Sequence, residues 1–140
     1  MNETILTITG NLTTDPELRF TGSGTAVCNF TVAATPRRFD KATGGWTDAE
    51  PIFQRCTAWR KLAENIAESL QRGTRVIVNG RLRSNTFDDR EGHRRTSLEL
   101  DVDEVGVSLQ FGTVTFAKAE RTSGRNTASS GASDEDEPPF

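Results

Sequence analysis

Two short runs of the chain place aromatic and cationic side chains at alternate positions. Phe53, Arg55 and Trp59 share one parity of Ile52 to Arg60, and Arg81, Arg83 and Phe87 share one parity of Arg75 to Phe87. In an extended chain alternate residues point to the same face, so each run presents rings and guanidinium groups together. A core-facing parity is apolar, and arginines do not belong on it. Single-stranded nucleic acid calls for this pairing: bases stack on aromatic faces at roughly 1–3 kcal/mol each, while cations follow the phosphates. Every base offers a π-face, so such a surface is indifferent to sequence. Phe39, after Arg37 and Arg38, adds a fourth ring beside the loop-like run Asp40 to Gly45, and Arg94 and Arg95 add further cations. Trp46, across that loop, reads as a local packing residue.

Other chemistry is sparse. The single histidine, His93, sits in the polar run Arg90-Glu91-Gly92-His93-Arg94 and reads as part of a solvated hairpin turn, although Asp88, Asp89 and Glu91 lie nearby. No nucleophile-elbow, phosphate-loop, zinc-protease or paired Cys-x-x-Cys motif occurs. No metal and no cofactor is expected. A metal-dependent nuclease built on Asp101, Asp103 and Glu104 is the one catalytic reading available, and these acids read better as an exposed or subunit-facing edge. Cys28 and Cys56 are too few for a disulfide framework and stand on the apolar parity of their runs, as buried thiols. The expectation is therefore a binding protein, not an enzyme.

The net charge of −3 conceals a segregation. Residues 1–118 hold 15 basic and 15 acidic side chains, whereas the last 22 residues hold two and five. Within the neutral body, 72–95 is locally basic, with seven arginines against Asp88, Asp89 and Glu91. A basic patch and an acidic tail can coexist on one chain. No run of 18 apolar residues is present, so no membrane span is expected, and the N-terminus shows no secretory pattern. A cytoplasmic protein is the expectation.

The elements that would hold the aromatic face follow from periodicity. Thr4–Leu12 is rich in β-branched residues and reads as a strand bent at Gly10. Ala26–Ala34 puts Cys28, Phe30, Val32 and Ala34 on one face. Ile52–Arg60 is a third strand, with Ile52, Gln54, Cys56 and Ala58 opposite the aromatic parity. Leu62, Ile66 and Leu70 stand at helical spacing, and Gly73 supplies the stop. Arg75–Phe87 turns Val76, Val78, Gly80 and Leu82 inward, and Thr96–Val105 turns Leu98, Leu100 and Val102 inward. A weaker sixth run spans Gln110–Phe116. Five strands with one helix between the third and fourth is the order of an OB-fold, an all-β Greek-key barrel with a small helical contribution. Residues 119–133 lack large apolar side chains and read as a disordered spacer. It leads to an acidic tip, Asp134-Glu135-Asp136-Glu137-Pro138-Pro139-Phe140.

With these residues in place, the chain resembles the bacterial single-stranded DNA-binding proteins. The likeness is carried by Gly10-Asn11-Leu12, Asp15-Pro16-Glu17-Leu18-Arg19-Phe20, Gly24-Thr25-Ala26-Val27, and Asp40-Lys41-Ala42-Thr43-Gly44. It continues through Ala58-Trp59-Arg60-Lys61-Leu62-Ala63-Glu64, Val78-Asn79-Gly80-Arg81-Leu82-Arg83 and the final Pro138-Pro139-Phe140. It implies an OB domain over 1–108, assembly as a homotetramer, and coating of single-stranded DNA in replication, recombination and repair, at the nucleoid. It places the stacking rings on Phe39, Phe53, Trp59 and Phe87, where the family often has tryptophan at the first, second and fourth and phenylalanine at the third. Residues 109–118 resemble the additional strand of actinobacterial members, which clamps paired subunits. The tip, 134–140, resembles the family's acidic peptide, which docks into replication and repair proteins: Phe140 would fill an apolar pocket and the acids would meet a basic rim. The rival reading is an OB module of the replication machinery that binds proteins first and DNA weakly.

Overall fold

The computed structural model describes residues 2–119. Residues 120–140, with most of the expected spacer and all of the acidic tip, lie outside the described residues. The elements run β1 (Thr4–Leu12), β2 (Glu17–Phe20), β3 (Ala26–Ala34), β4 (Arg37–Asp40), β5 (Gly45–Asp48), β6 (Ile52–Trp59), α1 (Arg60–Ser69), β7 (Arg75–Asp88) and β8 (Arg94–Val107). The expected five strands are β1, β3, β6, β7 and β8, with the helix between the third and fourth of them. The short β2 is an addition: a stretch without apolar alternation becomes a strand because β3 offers it an edge from Ala26 to Asn29. The loop-like run Asp40 to Gly45 is the turn of a separate two-stranded hairpin, β4–β5.

The main sheet has the order β1-β7-β8-β6-β3-β2, and β1 also pairs with β3. That second pairing closes β1, β7, β8, β6 and β3 into a barrel, the OB architecture. β1 pairs along β7 from Thr4 to Asn11 and reaches β3 at Asn11 and Leu12. Such a crossing brings backbones together, and Gly10 makes room: a Cβ there would collide with the Ala33 carbonyl. Gly80 does the same on β7, where a Cβ would strike the Asp101 carbonyl. Opposite it, the register slips by one residue between Asn79 and Gly80, so Asp103 is extra on β8. Past this bulge the inward parity changes, and Val105 and Val107 join the packing in place of even-numbered residues.

The interior is narrow and is filled mostly by small and branched side chains: Val32, Val76, Val78, Leu100, Cys28, Cys56 and Ala58 are all but sealed from solvent. Helix α1 follows β6 without a loop and lays Ala63 and Ile66 against this core, and Leu70 closes it just past the last turn. The Leu70 N–H donates to the Ile66 carbonyl at 2.9 Å, and Gly73 takes the positive φ of 89° that ends the excursion.

Two expectations are corrected. Leu98 was expected inward, but it is 56% exposed. The β7–β8 ribbon extends beyond the barrel there, so its inner face has no opposite wall, and Leu98's partner Ser84 is exposed as well. The run Gln110–Phe116 is not a strand of this chain: the ladder ends where the Ser108 N–H donates to the Arg75 carbonyl. Beyond it no strand of the described chain pairs with the segment, and Phe111 is 80% exposed beneath the Arg75 guanidinium, 5.4 Å from the ring centre.

Burial pushes the Cys56 thiol up to about 12, and burial assisted by the Glu17 charge pushes Cys28 up to about 11. Both thiols therefore stay protonated and shielded in the folded protein at pH 8. A disulfide-exchange reagent at that pH should titrate no thiol natively and two after denaturation. Because the folded values lie above the unfolded one, near 9, this contribution to stability is full below pH 9 and declines as pH rises from there through 11–12. One thiol reacting at the rate of a free cysteine in the native protein would contradict the burial.

Candidate nucleic-acid interface

The parity that seals Gln54, Cys56 and Ala58 inside turns Phe53, Arg55 and Trp59 outward. Phe53 is 62% exposed and Trp59 43%, so neither ring packs against the opposite wall of the barrel. Thr57, between them in the alternation, is covered instead, because Asn29 on β3 donates to its hydroxyl at 2.9 Å. The outer face of β6 is thus two exposed rings separated by Arg55 and a low polar step. Arg55 also stands over an open polar recess bordered by Thr14, Asp15, Glu17, Asn29 and Thr31.

The other two rings sit on hairpins that flank this strand. Phe39 is exposed on β4 and meets Trp46 on β5 edge to face, with centroids 5.6 Å apart and planes at 72°. Trp46 therefore packs locally, as its position suggested, although its ring is exposed too. Arg37 on the same hairpin pairs with Asp48 at 3.6 Å. Phe87 is exposed near the end of β7, opposite Arg95 on β8. At the tip Asp89 accepts the N–H groups of Glu91 and His93 at 2.9 and 2.8 Å and the Arg95 guanidinium at 2.7 Å. The Arg95 bond, then the His93 N–H, hold the Asp89 carboxyl below its usual range. Asp89, Glu91 and His93 lie close enough to suggest a cation site, but the Asp89 oxygens are already committed to the turn and to Arg95. His93 is an exposed turn residue.

Strands β6, β8 and β7 lie side by side, and their outer faces are continuous. Arg55 is in register with Glu99 and Thr57 with Asp101 across β6–β8, while Arg83 faces Glu99 and Arg81 faces Asp101 across β7–β8. The arginines expected to meet phosphate therefore meet carboxylates. Arg83 donates from Nε to Asp101 at 2.9 Å and from Nη2 to Glu99 at 3.2 Å, which raises its pKa, chiefly through the Asp101 bond. Arg81 lies 3.5 Å from Asp103 and 3.8 Å from Glu3. Arg55 is held least, its Nε 4.0 Å from Glu99. Arg38 and Arg94 make no ion pair among the described residues.

The structure thus brings Phe53, Arg55 and Trp59 onto one strand, Arg81 and Arg83 onto the neighbouring ribbon, and Phe39 and Phe87 onto two separate hairpins. The carboxylate partners were not anticipated. A signal for them was available: with the β7–β8 turn centred on Glu91, antiparallel register puts Arg83 opposite Glu99 and Arg81 opposite Asp101.

A closed OB barrel with exposed rings on its outer strand and hairpins, and guanidinium groups among them, defines a nucleic-acid-binding class. Comparison with known proteins narrows the class. The family model described as the single-strand binding protein family matches residues 1–108, and this chain belongs to that family. It is 57% identical over 127 residues to the single-stranded DNA-binding protein of Mycobacterium tuberculosis H37Rv, covering 91% of this chain and 77% of the relative. To that of Mycolicibacterium smegmatis it is 58% identical over 120 residues, covering 86% and 73%. The crystal structure of the small single-stranded DNA-binding protein from Streptomyces coelicolor superposes with a TM-score of 0.68 at 38% identity, covering 78% of this chain and 97% of that one.

Because their rings lie in solvent, Phe53→Ala and Trp59→Ala should each change unfolding free energy by less than about 1 kcal/mol, whereas Val78→Ala in the sealed core should cost about 2 kcal/mol or more. Urea melts of the three variants make the comparison. A loss at Phe53 as large as at Val78 would mean that the ring belongs to the core.

Proposed function

We propose that this protein coats single-stranded DNA without sequence preference, protecting it in replication, recombination and repair, and that it performs no covalent chemistry. The observation that carries this reading is the solvent exposure of Phe53 and Trp59 on β6, with Phe39 and Phe87 exposed on the flanking hairpins. A barrel has no packing use for these rings, and each is a platform for a base. Phosphates are drawn by Arg55 on β6, Arg37 and Arg38 on β4, and Arg94 and Arg95 on β8, with Arg81 and Arg83 beside them. Membership of the single-strand binding protein family and the names of the relatives support the same reading.

The protein acts as a homotetramer in the cytoplasm, at the nucleoid, so that one strand runs over several barrels. Exposed Leu109, Phe111, Val114 and Phe116 after β8 favour assembly, because a paired subunit would cover apolar surface that this chain leaves in water. The acidic run Asp134–Phe140 recruits replication and repair proteins by offering a ring and carboxylates to a pocket with a basic rim.

Full-length protein and a form ending at Ser133 are titrated into a dT oligonucleotide and into a duplex, at low and high salt, following the anisotropy of a fluorophore on the DNA. Single strand alone should bind tightly, with log K falling against log salt by about 0.7 per phosphate contacted. The shortened form should bind at least as well, because four of its seven lost residues are acids, which compete with phosphate for the same cations. Trp59→Ala with Phe87→Ala should weaken binding about 30-fold or more, from roughly 1–3 kcal/mol per stack. Equal binding of duplex and single strand, or no loss in the double variant, would instead favour a protein-interaction module.

A further inference from the structure

Resting on that reading, we infer that Glu99, held by Arg83, is a built-in competitor of DNA phosphate for Arg55, and that it sets the strength and the salt dependence of binding. Three observations place it in this role. Glu99 stands in register between the two arginines, opposite Arg55 on β6 and opposite Arg83 on β7. Its side chain is only 13% exposed, and its carboxylate also accepts from Asn85 at 3.3 Å and Ser97 at 3.5 Å, so it is held in place. The two arginines are bound to it unequally: Arg83 at 3.2 Å with a second anchor on Asp101, Arg55 at 4.0 Å with its side chain 64% exposed.

The asymmetry sorts the arginines. Leaving Glu99 and Asp101 would cost Arg83 two charge-assisted hydrogen bonds, so Arg83 stays with the protein and acts as a positioning residue for the acid pair. Arg55 gives up only a long contact and turns to a phosphate passing between Phe53 and Trp59. That exchange leaves Glu99 with one cation fewer, and a solution cation takes up part of its charge. Binding of the strand then releases fewer cations in net than the number of phosphates met, because release at the phosphate is offset by uptake at the carboxylate. Glu99 thereby keeps the wall between the rings near neutrality, so stacking outweighs charge on this strand.

The test compares wild type, Glu99→Gln, Asp101→Asn, Arg55→Ala and the pair Arg55→Ala/Glu99→Gln by dT-oligonucleotide titration from low to high salt, with a thermal melt of each. Glutamine keeps the shape of Glu99 and its hydrogen bonds to Asn85 and Ser97 while removing the charge. Glu99→Gln should bind about three- to tenfold more tightly at low salt, with a slope steeper by about 0.7, one phosphate's worth. Arg55→Ala should cost more in the Glu99→Gln background than in wild type, a coupling that a purely structural role would not produce. Asp101→Asn removes the other carboxylate on Arg83, draws Arg83 fully onto Glu99, and should shift affinity and slope in the same direction. It decides the matter should Glu99→Gln fail to fold. An unchanged slope, or weaker binding in a variant that melts like wild type, would overturn the competitor role. Failure of the wild type itself to prefer single strand is a different result: it removes the coating function, and this inference with it.

Discussion

The constraint on which everything else rests is the bore of the barrel. Five strands closed through β1 onto both β7 and β3 leave room for Val, Leu, Cys and Ala, and among the described aromatic residues only Phe30 is buried. A ring on β6 must therefore go outside or break the closure. Strand alternation then fixes the rest: sealing Gln54, Cys56 and Ala58 on one parity sends Phe53, Arg55 and Trp59 to the other. Closure itself depends on two backbone approaches that only glycine permits, at Gly10 against Ala33 and at Gly80 against Asp101. The proposed binding face is in this sense a consequence of how the core is packed, and its rings require little further support.

Charge on that face is arranged differently from the rings. Arg55, Arg81 and Arg83 would by themselves make a cationic wall, but β8 brings Glu99, Asp101 and Asp103 alongside, and Glu3 joins them from just before β1. The barrel wall is close to electrically balanced, and of the arginines proposed to meet phosphate, the two without an ion pair among the described residues, Arg38 and Arg94, lie on the hairpins. Exposed ion pairs of this kind contribute little to stability, on the order of 0–1 kcal/mol each. Their larger effect is on how a polyanion is received. An overall charge of −3 is compatible with binding DNA, because exposed π-faces and a few guanidinium groups suffice to receive a strand without a broad positive field.

Much of this was legible in the sequence, and the reasons differ by element. β6 and the first half of β7 largely alternate because one face of each is sealed, so period two returned both the strands and the exposed rings. Helix α1 declared itself through Leu62, Ile66 and Leu70 and the stop at Gly73. Strand β2 was invisible because Glu17–Phe20 has no buried side chain of its own and is ordered by pairing with β3. Leu98 misled because parity says which face a residue is on but not whether anything lies opposite that face. The run Gln110–Phe116 is strand-like in sequence, yet sequence pattern cannot supply a neighbouring strand, and no described strand pairs with it. The arginines were read as cations because sequence proximity hides their partners; only the β7–β8 register brings residues 16 and 18 positions apart into ion pairs.

The central claim is that bases lie on the outer face of β6 and on the two hairpins. The most direct measurement is photocrosslinking of a 4-thiothymidine oligonucleotide to the wild-type protein, with the modified peptides identified by mass spectrometry. Crosslinks should concentrate on Phe39, Phe53, Trp59 and Phe87 and be lost when the unmodified oligonucleotide competes. Crosslinks that fall instead on Ile5, Ile77 and their neighbours, the exposed apolar residues on the outer faces of β1 and β7, would contradict it.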